Sequence, residues 1–75
     1  MIRNFDTVVL TRDLPEHGLR SGDMGAVVHD YAEGAFEVEF VTGGGTTLAV
    51  LTLEAAALRL LAPSDMLHVR EVGRT

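Results

Sequence analysis

The chain has no cysteine and no tryptophan, and its 75 residues carry six basic side chains against eleven acidic ones. Without cysteine there are no disulfides, and the absence fits a reducing compartment, so a cytoplasmic location is expected. A structural zinc site would fall to His17, His29 and His68 with carboxylates, and no two of these histidines stand at ligand spacing. The aromatics are Phe5, Tyr31, Phe36 and Phe40, which do not supply the exposed Tyr and Trp row that reads proline-rich peptides. A net charge of −5 repels phosphate backbones, so nucleic acid is not an expected partner. No apolar run approaches the roughly 20 residues that span a bilayer, so no membrane association is expected. Met1 to Asp6 does not read as a signal peptide, because no apolar stretch follows a basic end.

A chain this short makes one domain and buries only roughly 60% of the surface exposed on unfolding. Small domains of this kind are supplemented by disulfides, a metal or a partner subunit. With the first two disfavoured, association with a second copy is the expected supplement.

What is present is a set of short strands separated by turns. Thr7 to Thr11 is β-branched and reads as the first strand, with both faces covered because Val9 and Leu10 point opposite ways. Arg12 to Asp23 is a polar loop holding Pro15, Gly18 and Gly22, and it leads into Gly25-Ala26-Val27-Val28. Met24 to Tyr31 is the second strand and Ala32-Glu33-Gly34 the hairpin turn after it. From Ala35 to Val41, Phe36, Val38 and Phe40 face one way and Glu37 and Glu39 the other, a period of two that marks a half-buried antiparallel strand. After the turn at Gly43-Gly44-Gly45, Thr46 to Thr52 is the fourth strand, apolar on both faces. Leu53 to Ala57 favours a single helical turn with Thr52 as its N-cap and Glu54 near its positive end. Leu58 to Leu61 is the fifth strand. Beyond Pro63, Met66 to Val72 reads as an additional strand.

Few constellations point to chemistry. Asp13, Glu16 and His17 share one exposed loop, but no oriented third group accompanies them, and Asp13 and Pro15 serve to shape the turn. Asp30, Glu33, Glu37 and Glu39 gather near the second hairpin, with Asp30 facing one of the two strand-three carboxylates. They form an acidic patch that keeps the sheet wet or meets a basic partner. His29 sits within a strand as a structural residue. Ser21 and Ser64 are the only serines, and neither has the strand-to-helix setting of a nucleophile elbow. The glycine triplet lacks the Lys-Ser/Thr and helix start of a phosphate cradle. No catalytic residue, metal or cofactor is expected.

The segments Asp6 to Leu19, Gly22 to Val28, Phe36 to Phe40, Leu51-Thr52-Leu53 and Leu58-Arg59 together resemble a family of small uncharacterised bacterial domains. The resemblance runs from Asp6 to Leu61 and carries over no catalytic residue. A more distant likeness is to SH3-like barrels of the KOW and photosystem-accessory types. The first implies RNA or ribosome contact, which the acidic balance opposes, and the second implies docking onto a larger complex.

The expected architecture is an all-β, SH3-like, five-stranded and mostly antiparallel barrel over residues 1–62, with one short helical turn. Residues 63–75 form a C-terminal extension, read as a strand used in packing or oligomerisation. The expected function is a non-catalytic protein-interaction module that forms a homo-oligomer and docks on another protein. Leu48, Val50, Leu51, Leu67 and Val69 are the candidate interface, and the acidic patch is a second partner-facing surface. The alternatives are a KOW-like nucleic-acid module and a small-ligand-binding protein with His29 or Tyr31 at the mouth of a pocket.

Overall fold

The alternation between Ala35 and Val41 sets the sheet. In the computed structural model, which describes residues 1–73, Phe36, Val38 and Phe40 are buried while Glu37 and Glu39 lie half-buried on the opposite face. Five strands form around this segment: β1 (Thr7–Leu10), β2 (Met24–Ala32), β3 (Ala35–Val41), β4 (Thr47–Glu54) and β5 (Leu58–Leu60). They make one sheet in the order β4-β3-β2-β1-β5, and every neighbouring pair is antiparallel. No ladder joins β4 to β5, so the sheet has two ends and is open, where a closed barrel was expected.

The core is the inner face of this sheet. Val8, Leu10, Val27, Phe36, Val38, Phe40 and Leu58 pack together with Leu19, and Ile2, Leu14, Leu51 and Leu53 lean against them. Val9, on the other face of β1, is also buried, so the strand is covered on both sides as its composition implied. Gly25 is part of this packing. A Cβ there would sit 2.7 Å from Val38 Cγ1 and 2.9 Å from Phe40 Cε1, so the missing side chain is what admits the Phe40 ring over β2.

Local chemistry explains most strand ends. Ala32 pairs with Ala35, leaving Glu33 and Gly34 as a two-residue turn with φ of 55° and 82°, the pattern of a tight hairpin with both central residues left-handed. β2 is irregular where Val28 and Tyr31 interrupt its register with β3, which is how a strand bends without losing its partner. The polar loop after β1 is more ordered than its composition suggests. Pro15–His17 makes a 3₁₀ turn, Leu14 bridges to Leu19, and Leu19 enters the core.

Two sequence expectations are corrected. The helical turn is a 3₁₀ turn at Ala55–Ala57 and Thr52 does not cap it. β4 instead runs through Thr52, Leu53 and Glu54, which pair with Glu37, Phe36 and Ala35, so the ladder outweighs the helix preference of the alanines. The segment from Met66 to Val72, expected as an additional strand, joins no ladder among the described residues. The ion pairs Arg59–Asp65 and Arg70–Asp23 hold the tail in place of backbone pairing. The last two residues of the extension lie outside the described residues.

Candidate functional site

Two side-chain clamps position the tail. At the first, the Arg59 guanidinium donates to both oxygens of Asp65, at 2.8 and 3.0 Å, and the Ala62 N–H donates to the same carboxylate at 2.7 Å. At the second, Arg70 Nε donates to Asp23 Oδ1 at 2.8 Å, its Nη2 reaches Asp23 Oδ2, and the same nitrogen donates to the Gly18 carbonyl at 3.0 Å. Bidentate pairs of this kind fix geometry as well as charge. The Arg70 guanidinium, helped by the Arg20 N–H, holds the Asp23 carboxyl below its ordinary range against the opposing effect of burial. Arg59 and then the Ala62 N–H do the same for Asp65. The two arginines are pushed up in return by their partners.

Between these anchors the chain carries apolar side chains outward. Leu67 is 64% exposed and Val69 96%. On β4, Leu48 is 40% exposed and Val50 46%, whereas Leu51 faces inward and leans half-buried on the core. An open groove of about 700 Å³ runs between Leu48 and the tail, with Val9, Met24, Met66, Leu67 and His68 among its lining. Its lining includes neither His29 nor Tyr31.

The acidic residues divide between surfaces. Glu37 and Glu39 share the outer face of β3, where Glu37 accepts the Tyr31 hydroxyl at 2.9 Å and Glu39 accepts the Thr47 hydroxyl at 2.7 Å. His29 stands opposite Glu37 and meets Tyr31 edge-on, with ring centroids 4.4 Å apart. Tyr31 is pushed up by its bond to Glu37. Asp30 pairs across from Phe36, not from either glutamate, and accepts the Ala32 N–H at 2.8 Å. Glu33 sits in the turn itself. The four acids therefore do not form one cluster.

In the first loop, Asp13 accepts the Ser21 N–H at 2.8 Å while Glu16 and His17 lie exposed in the 3₁₀ turn. The Ser21 hydroxyl is directed at the Leu10 carbonyl, 3.5 Å away, so the loop's polar groups are engaged in shaping it. Among the described residues no three histidine or carboxylate side chains gather as a metal centre. No helix among them is long and apolar enough to cross a membrane.

Sequence reasoning missed the clamps. Arg70 and Asp23 are 47 positions apart, and nothing local marks one as the other's partner. A signal was available for Leu19, an isolated apolar residue in a polar loop, five positions from the equally isolated Leu14.

Comparison with curated proteins and with solved structures finds no match to the chain. Residues 4–60 match the model of a family described as Domain of unknown function (DUF4926), a span that takes in all five strands. The chain belongs to that family.

Proposed function

We propose that this protein is a non-catalytic interaction module that self-associates and docks on another protein. The observation that carries the reading is the apolar surface held outward: Leu48 on β4 and Leu67 and Val69 on the tail line one groove, and Val50 is exposed on the same strand as Leu48. The tail is not a loose end. Clamped through Asp65 and Arg70, it presents its apolar side chains in a fixed place, at a cost in water contact that a covered interface removes. Leu51, beneath this surface, supports it from the core side.

The strand order and connections also favour an SH3-like arrangement. A long first loop, a two-residue hairpin, a glycine-rich turn and a 3₁₀ turn separate five antiparallel strands in sequence. Such a scaffold leaves function to its surface. The acidic face around Glu37 and Glu39 is the side on which a basic partner would be steered, and the same charge disfavours RNA and DNA.

Light scattering on the full chain tests the reading: a dimer or larger is expected. Deletion after Ala62 removes Leu67 and Val69 and is expected to weaken or abolish the assembly while the strand signal in circular dichroism persists. A chain that stays monomeric at high concentration overturns the proposal. Filter binding to mixed RNA and duplex DNA is expected to give no complex, and a tight, salt-sensitive complex would promote the nucleic-acid reading instead.

A further inference from the structure

We infer that two copies of this chain join edge to edge through β4, in antiparallel register about a two-fold axis near Leu51, giving one continuous sheet. The inference rests on the self-association proposed above and adds to the contact made by the tail a second one, through β4.

β4 is an end strand of the sheet. Its one ladder is with β3, and among the described residues none of its backbone groups bonds to a loop or turn. Proteins usually protect such an edge with a charge, a proline, a bulge or a covering segment. Here a register shift at Leu48 interrupts one end and Glu54 stands at the other. Between them Ala49-Val50-Leu51-Thr52-Leu53 is regular, uncharged and free of proline. This is a bare template for strand addition.

The occupant that fits is the same segment from a second copy. About an axis at Leu51, Ala49 meets the other copy's Leu53, Val50 meets its Thr52, and Leu51 meets Leu51. Ala49, Leu51 and Leu53 are the half-buried residues of the segment, and Leu51 and Leu53 lean on the core, so the pairing extends the apolar inner face from one copy into the next. No charge enters the paired segment from either side, and Glu54 falls beyond it at each end. The nearest acids, Glu37 and Glu39, lie one strand back and are each bonded to a hydroxyl of their own chain. An isologous contact of this kind closes on itself and stops at a dimer.

The test uses the full chain and two kinds of variant. Val50→Lys places an ammonium on the edge, while inside its own sheet the new side chain stands opposite Glu39, a favourable cross-strand pair that keeps the monomer folded. The dimer dissociation constant is expected to rise about 100-fold, with the thermal melt of the monomer unmoved. Because the chain has no cysteine, an oxidised mixture of V50C and T52C chains can cross-link only through the introduced thiols. Their positions face each other about the stated axis, so the mixture is expected to give more covalent dimer than either variant alone. If the wild-type chain dimerises, V50K leaves that dimer intact and no cross-link forms, the edge pairing is overturned while self-association stands. A monomeric wild-type chain overturns both.

Discussion

The two ends of the sheet are finished differently. The β5 end is three residues long; Leu61 N–H extends its ladder with β1 by bonding to the Thr7 carbonyl, and the chain then turns at Ala62 to Asp65, where Arg59 grips Asp65. The β4 end is an eight-residue strand, and among the described residues none of its backbone groups bonds to a loop or turn. One edge thus has a side chain of its own laid on it, Arg59 donating to the Leu60 carbonyl and gripping Asp65, and the other receives no such bond among the described residues. An open sheet in a chain this small is stable on its own only to the extent that its core suffices. The unequal edges show where further stabilisation can come from.

The most severe way to break this comparison is to remove the core that both ends share. Phe40→Ala empties a fully buried site between β2 and β3 and is expected to cost about 3–5 kcal/mol in a urea melt, much of the stability of a small domain. Glu39→Ala, one position away on the outer face, loses only an exposed bond to Thr47 and is expected to cost less than about 1 kcal/mol. Equal losses would mean that the facing of β3 is wrong.

An intermediate effect is expected where the tail is anchored to the loop before β2. Asp23→Asn leaves the loop in place but removes the charge that Arg70 grips, with the two side chains 18% and 27% exposed, at an expected cost of about 1–2 kcal/mol. The pH dependence has a definite sign. The folded-state value of Asp23 lies below 3.8, so the unfolded chain binds the proton more readily and the ion pair contributes fully at neutral pH. That contribution fades as the pH falls through 3.8 towards the lower folded value. The stability difference between wild type and D23N, followed by urea melts across the acid range, is expected to be flat at neutral pH and to shrink below this point. A difference that grows on acidification contradicts the assigned pair.

The smallest effect is expected where the first loop touches the end of β4. Arg12 and Glu54 lie 3.3 Å apart with side chains 52% and 63% exposed, so Arg12→Ala is expected to change stability by less than about 0.5 kcal/mol. A loss like that of D23N would show that the β4 end is tied to the rest of the chain after all.

These contrasts separate what the sequence makes visible from what it hides. β3 is legible because a strand with one wet face must alternate, and Phe36-Glu37-Val38-Glu39-Phe40 does. The five strands stand where β-branched runs and glycine turns placed them, within a few residues at their ends. The tail is misread for the same reason that β3 is read correctly. Alternation records which way side chains point, whereas a strand also has to reach an unpaired edge, and the ion pairs of Asp65 and Arg70 hold Met66 to Val72 where it joins none. The surface is harder still. Leu48, Val50, Leu67 and Val69 announce themselves by being apolar, but the pairs that aim the tail join Asp23 to Arg70 across most of the chain, a relation that only folding creates. The place of Asp30 is hidden for a related reason: the irregularities in β2 set it opposite Phe36, not Glu37 or Glu39, and no local pattern predicts a bulge there.

The pairing of β1 with β5 also fixes an order of events. β2, β3 and β4 follow one another through short turns, so each finds its neighbour by closing a small loop. Val8 meets Leu60 only after nearly the whole length of the domain has been brought round, and the entropy of that closure is met last. The meander should therefore gather first and the β1–β5 ladder zip afterwards. In the native state the same ladder, three pairs long, is the seam expected to open before the rest, and amide exchange at Leu61, whose N–H bonds to the Thr7 carbonyl, should run ahead of exchange at Val38.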